Sequence, residues 1–448
     1  MEAEASIVRP SDYAQADRDI LRVLFKPSAI YIVAVLLTAT GCVYGLWSWW
    51  QQFTWGMGVD GMNQASFWGV YIVTFVFWIG IGHAGTLISA ILFLVRSRWR
   101  TGVYRASEAM TVFAVLTAAL FPVIHLGRVW QLYWFFPYPN QRSLWVNFKS
   151  PLMWDVFAIS TYFTISVVFF YCGLLPDMAI VRDHSRGMVR RVYNLLCLGW
   201  RGTNRQWRHY MAAYGFFAAF ATPLVLSVHS VVSWDFATAN LAGWHSTIFP
   251  PYFVAGAIYS GCAMVITLLL PMTYIFGWKE YVNMWHFESL AKMCLLTSGI
   301  LTYSYGMENF IAWYSQNPAE QAIFWWRATG PLAWAFYLAV FCNVITPLFL
   351  YIRKIRQNPV TLFIISLIIN VGMWMERFNI VVSSTAHSLD PNMWRMYTPS
   401  AIEIGILIGS ASWFLLQFLL FIKVMPGVAI SEVKEMTPAP LKGSLEAS

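Results

Sequence analysis

Charge is scarce in this chain. Asp, Glu, Lys and Arg make up 11% of its 448 residues against 58% hydrophobic ones, and the mean hydropathy is +0.55. A water-soluble core cannot hide that much apolar surface, so a soluble enzyme is excluded and a polytopic membrane protein remains. Cysteine is sparse as well. Six (Cys42, Cys172, Cys197, Cys262, Cys294, Cys342) are scattered without a CxxC pair, five of them in apolar segments. That pattern excludes a disulfide framework and a Cys-ligated iron–sulfur cluster, and leaves packing. The eight His never fall about 13 or 14 residues apart within one apolar segment, the spacing of paired haem ligands on one helix. Only a haem held by single His from separate helices stays open. The first 28 residues lack the short apolar core and small-residue cleavage site of a signal peptide, so the first helix is expected to remain. There is no soluble catalytic domain. The longest polar connection, about 177–208, is a basic loop whose His184 reads as solvated, and the tail "TPAPLKGSLEAS" reads as a loose end or a partner-docking strap.

What the chain has in abundance is long apolar runs. Ten lie near 29–50, 67–95, 107–127, 152–176, 209–233, 251–275, 288–306, 330–352, 361–385 and 401–423. Each approaches the roughly 20 residues that an α-helix, rising about 1.5 Å per residue, needs to cross about 30 Å of hydrocarbon. A spanning barrel would instead alternate over about 10 residues per strand. The expectation is an all-α integral membrane protein: an N-terminal segment 1–28, a ten-helix domain 29–423 and a tail 424–448. Twenty-two Lys and Arg fall on one side of this map and six on the other, with Lys292 inside a helix. The positive-inside bias then puts both termini in the cytoplasm. The net charge of +8 reflects topology and anionic lipid and gives no reason to invoke nucleic acid.

Ionisable residues at membrane depth cost several kcal/mol unless they find partners or face a bundle interior. On this map they gather at the non-cytoplasmic face: His125, Asp155, His229, Asp235 and Glu308, then Glu376, Arg377, His387, Arg395 and Glu403. Singly, each can simply bond a neighbouring helix, and Arg377 beside Glu376 reads as an ion pair. Together they suit a lipid-soluble quinol, which needs an apolar entrance, an imidazole of ordinary pKa about 6.5 and a carboxylate to take protons. His125, closing the third helix, and Asp155, opening the fourth, supply these from adjacent helices. The aromatic loop between them, "GRVWQLYWFFPYPNQRSLWVNFKSP", lines the mouth or forms an interfacial belt. With nowhere in this chain to put electrons, another subunit must accept them.

These residues carry a resemblance. "WIGIGHAGTLISAILFLVRSRWRTGVYRASEAMTVFAVLTAALFPVIHLGR", "SPLMWDVFAISTYF", "GWHSTIFPPYFVAGAI", "GMENFIAWYS", "ERFNIVV" and "WRMYTPSAIEIG" resemble the NrfD/PsrC family of membrane quinone-interacting subunits over about 29–423. Within it the likeness is greatest to the ActC-like members of the bacterial alternative complex III, with ActF-like members the confusable relatives. The resemblance implies two four-helix bundles, helices 2–5 and 6–9, flanked by helices 1 and 10. It implies a quinol or menaquinol site at the non-cytoplasmic end of the first bundle, with His125 and Asp155 catalytic and Asp235, Arg395 and Glu403 around the headgroup. Electrons would pass to an ActB-like iron–sulfur subunit and then to multihaem cytochrome c subunits, beside a second, ActF-like membrane subunit, in a bacterial inner membrane. Proton translocation is implied too, with His83, Glu108 and Glu308 as relay groups and no haem, cluster or metal in this chain. The endings "VHSVVSWD" and "AHSLD" of helices 5 and 9 hint at duplication. A secondary transporter, whose sites favour broken helices at mid-membrane, and an ActF-like subunit without a quinol site are the competing readings.

Overall fold

The computed structural model describes residues 13–25, 27–63, 65–136, 148–387 and 390–435. The expectations for residues 1–12, for 137–147 of the aromatic loop, for 388–389 and for the tail from 436 onward lie outside them. Short α1 (Tyr13–Phe25) leads into α2 (Ala29–Trp55). The remaining helices are α3 (Gly69–Leu94), α4 (Tyr104–His125), α5 (Pro151–His184), α6 (Gly187–Leu196), α7 (Asn204–Ala237), α8 (Phe249–Phe276), α9 (Met284–Tyr314), α10 (Pro318–Thr329), α11 (Ala333–Tyr351), α12 (Pro359–Ala386), α13 (Ala401–Val424) and α14 (Ile430–Glu435).

Nine of these, among the described residues, are long and apolar enough to cross a membrane. The tenth expected span, 288–306, lies in α9, which is long enough at 31 residues but carries His286, Glu288, Lys292 and Glu308 and so falls short in apolarity.

Local sequence sets the helix ends. Ser28, Thr203, Asn283, Asn317, Asn358 and Ser400 accept a backbone N–H of the first turn they precede, and Pro151, Pro318 and Pro359 stand where no amide donor is needed. Thr203 with Gln206, and Ser400 with Glu403, close reciprocal capping boxes. Gly127, at φ +68°, turns the chain sharply out of α4.

The helices form two groups of four, α3, α4, α5, α7 and α8, α9, α11, α12, joined where α3 packs along α8, with α2 and α13 paired on the outside. Because α3 is covered on nearly all sides, every polar group on it must be satisfied by protein. The hinted duplication does not survive in detail. His229 is wholly buried inside α7, whereas His387 follows the end of α12, stacked between Trp326 and Trp394.

At the end of the molecule opposite His125 a buried charge cluster ties four helices together. Arg105 donates to Glu108 (3.2 Å) and Asp177 (3.0 Å), and all three are at most 2% exposed. Tyr214 donates to Glu108 (2.8 Å), and the Ser431 amide at the head of α14 donates to Asp177 (3.0 Å). Removing one partner of such a cluster strands buried charge, at a cost of about 3–5 kcal/mol. Arg105→Leu is therefore expected to lower the apparent Tm of the purified protein markedly. An unchanged melting curve would show that the cluster contributes nothing to stability.

Candidate functional site

At the His125 end, three helices and one connection build a polar nest behind an apolar groove. Polar residues line its floor. Tyr71 on α3, 1% exposed, donates its hydroxyl to Gln52 Oε1 on α2 (2.9 Å) and to Asp60 Oδ1 in the α2–α3 connection (3.0 Å). Gln52 in turn donates to the carbonyl of Ile124 (2.9 Å), which fixes the last turn of α4. The imidazole of His125 then meets the edge of the Tyr71 ring, centroids 6.4 Å apart, with its buried Nδ1 making no hydrogen bond. Asp60 Oδ2 is likewise buried and unpartnered. Two groups able to take a proton thus flank one phenol, each with a lone pair to offer.

Electrostatics sharpen Asp60. Burial pushes its carboxyl up to about 7, the hydrogen bond from Tyr71 pulls against this, and the charge of Glu403 adds to the rise. Glu403, fully buried, accepts from Tyr397 Oη (2.6 Å), Gly61 N (2.7 Å) and Ser400 N (2.8 Å). It therefore clamps the connection that presents Asp60. Gly69, at φ +48°, allows the approach, since a Cβ there would sit 2.9 Å from Tyr397 Oη.

The groove runs along α2, α4 and α13. A cavity of about 380 Å³ is lined by Cys42, Gly45, Trp49, Phe121, Ile124 and Trp413, and continues past Leu46 and Trp49 into a second of about 370 Å³ reaching Val129. Its walls are almost wholly apolar, and its inner wall is formed by residues that touch the nest: Phe121 lies 6.5 Å from the Tyr71 ring and Ile124 binds Gln52.

The other expected site residues are distributed differently. The carboxyl of Asp155 lies within hydrogen-bonding reach of Asp235, from the first turn of α5 to the last turn of α7, where Trp154 meets Trp234 edge-on at 5.8 Å. A hydrogen bond between two carboxyl groups needs a proton between them. Among the described residues no hydrogen bond joins Asp155 to His125. Tyr71 on α3 is the ring against the imidazole, edge-on at 6.4 Å. Arg395 presents an exposed side chain, and its backbone amide donates to the Ala386 carbonyl (3.3 Å).

His83 lies deeper, 1% exposed. Its Nδ1 faces the carbonyl of Ile79 (2.6 Å), its ring stacks on Tyr162 (4.9 Å), and His229 approaches to 4.7 Å with both nitrogens unpartnered. Tyr162 bonds Thr86 (2.7 Å) and the Gly82 carbonyl (3.0 Å), which also receives Thr111 Oγ1 (2.7 Å). Thr111 stands one turn from Glu108, so hydroxyls bridge most of the interval between His83 and the charge cluster. Glu308 is elsewhere, ion-paired to Arg327 (2.9 Å) on α10. No group of three or more potential metal ligands occurs among the described residues.

Gln52, Asp60, Tyr71 and Tyr397 were missed by sequence reasoning. One signal was available: Asp60 is the sole acidic residue between Asp19 and Glu108, in the connection that the topology puts beside His125.

Known proteins resemble this chain over most of its length. The family described as polysulphide reductase, NrfD, matches residues 58–387. A Halobacterium salinarum protein named as a dimethyl sulfoxide reductase membrane subunit is 22% identical over 412 residues, 85% of this chain and 87% of that protein. An Hdr-like menaquinol oxidoreductase integral membrane subunit of Archaeoglobus fulgidus is 21% identical over 407 residues, 85% and 90% of the two chains. A selenate reductase subunit of Mesobacillus selenatarsenatis is 20% identical over 232 residues, 48% of this chain and 50% of that one.

Proposed function

Because the chain belongs to the polysulphide reductase NrfD family, we propose that it is the quinol-oxidising membrane subunit of an oxidoreductase, an ActC-like subunit of an alternative complex III. The observation that carries this is the paired apolar groove and polar nest. An isoprenoid tail fits the groove between α2, α4 and α13, and the headgroup then meets His125 and Asp60 across Tyr71. Relatives named as menaquinol oxidoreductase and reductase membrane subunits support the same substrate class.

Oxidation of a quinol releases two electrons and two protons. His125 Nδ1 and Asp60 Oδ2 are the acceptors for the protons of the headgroup hydroxyls, as general bases whose free lone pairs already face the nest. Tyr71 and Gln52 position them and exclude water from their inner side. The Asp155–Asp235 pair, on the same face, takes protons onward to the non-cytoplasmic side, and Arg395 and Glu403 close the far side of the headgroup. The electrons leave to an ActB-like iron–sulfur subunit on that face and then to multihaem cytochrome c subunits, with a second, ActF-like membrane subunit alongside, in a bacterial inner membrane with both termini cytoplasmic.

The tail groove gives the first test. Cys42→Trp fills the channel without touching the nest. It should raise KM for long-tailed quinols several-fold and spare kcat for a short-chain analogue. Equal effects on both substrates would mean that the groove does not take the tail.

His83 and Glu108 belong, on this reading, to proton translocation and not to quinol binding. His83→Leu should depress proton translocation by the reconstituted complex more than electron transfer. Equal losses, or none, would leave the imidazole as a packed core group.

A further inference from the structure

The second four-helix group holds a polar site that the quinol reading does not use. A cavity of about 170 Å³ lies between α9, α10, α11 and α12, lined among others by Tyr252, Tyr305, Glu308, Arg327, Glu376 and Asn379. Glu376, 3% exposed, accepts a hydrogen bond from Tyr305, which is itself held by Asn343 Nδ2 (3.0 Å), and is paired with Arg377. Across the cavity Glu308 is paired with Arg327, whose Nη2 also binds Ser384 (2.7 Å) and the Gly243 carbonyl (3.1 Å).

Three features of this cavity point to bound water. Asn379 Nδ2 and Arg327 Nε are buried and make no hydrogen bond among the described residues, and the Glu376 carboxyl lines the same cavity. Buried polar atoms in native proteins are satisfied, by water where protein does not reach. The volume admits several waters, each needing on the order of 15 Å³ of such space. Two π-helical turns, Phe341–Ile345 and Asn379–Ser383, bend the backbone around the site, and such turns cluster at functional positions because each loosens the regular hydrogen-bond ladder.

The site is separate from the His83–His229 nest. Phe253 stands between them, 5.8 Å from the His229 ring and with the Arg377 guanidinium 4.5 Å over its face.

We propose that this cavity is a hydrated proton-exchange site, in which Glu376 takes up and releases a proton through a water cluster that Glu308 shares. The proton moves between the Glu376 carboxyl, water and the Glu308 carboxylate, with no change of oxidation state. The groups facing Glu376 are Tyr252 from α8, Tyr305 and Glu308 from α9, Arg327 from α10, Asn343 from α11 and Arg377 on its own helix. The two guanidiniums balance the two carboxylates, so one added proton gives the site a single positive charge that water can carry away.

The test needs no quinol. Infrared difference spectra of the intact complex in lipid discs, on H₂O to D₂O exchange and on steps of pH, should show a protonated carboxyl band that exchanges, grows on acidification and is missing in Glu376→Gln. Tyr305→Phe should move the band by removing its hydrogen-bond donor, and this variant serves if Glu376→Gln does not assemble. His125→Leu should leave the band in place, so failure of the quinol site and failure of this one are told apart. A spectrum in which neither Glu376→Gln nor Tyr305→Phe alters any carboxyl band means a permanently ionised pair with Arg377 and overturns the proposal.

Discussion

His125→Leu is expected to cut quinol oxidation by about 10² to 10⁴-fold, the usual worth of general acid–base assistance, while the complex still assembles. The imidazole sits at the last residue of α4, where its ring touches Tyr71 and its Nδ1 binds no protein group. Leucine keeps the apolar contact with α3 and removes the proton acceptor, so the loss should appear in kcat more than in assembly or in binding of the tail. The assay is quinol:acceptor electron transfer by the purified complex. Turnover within a few-fold of the native rate would mean that the protons leave by another group.

Asp60→Asn is expected to produce a comparable loss and, more tellingly, to change the pH profile. Burial has raised this carboxyl from its ordinary value to about 7. Below about pH 7 it is protonated and unable to accept, and above it the base form accumulates. Native activity should therefore climb as pH rises toward about 7 and level off beyond, and Asp60→Asn should flatten that limb. Because the Glu403 charge contributes to the rise, Glu403→Gln should shift the limb to lower pH, provided the Tyr397 contact still holds the connection. A limb that persists unchanged in Asp60→Asn belongs to another group, with His125 the first to consider.

Apolar runs made the helices legible in the sequence, since only a helix or a closed barrel satisfies a backbone across hydrocarbon and these runs do not alternate as barrel strands do. The family resemblance supplied the grouping into two fours, and the fold shows that α3 and α8 join them. Side-chain partners were harder to read. The consecutive order of helices 3 and 4 pairs Asp155 with His125, whereas the side-chain contacts that the fold adds are the Tyr71 ring edge against the imidazole and Asp235 within reach of Asp155 across the α5–α7 contact. Neighbours in sequence order need not be neighbours across a bundle. Asp60 escaped notice for a different reason. It lies in a Gly- and Met-rich connection outside the apolar runs, and only the fold shows Glu403, from 342 residues further on, clamping that connection through Gly61. The relay reads as one set in the sequence, whereas His83, Glu108 and Glu308 sit in three nests, with His229 the unforeseen partner of the first.

The central claim is that a quinol headgroup docks between His125 and Asp60, with its tail in the α2–α4–α13 groove. A density map of the complex with a bound quinone or headgroup inhibitor tests it most directly. The account expects the ring oxygens within hydrogen-bond distance of His125 Nδ1 and Asp60, against Tyr71, and the tail passing Cys42 and Trp413. A headgroup seated against Glu376 and Tyr305 in the second group of helices, or at Asp155 and Asp235 with His125 untouched, would contradict it.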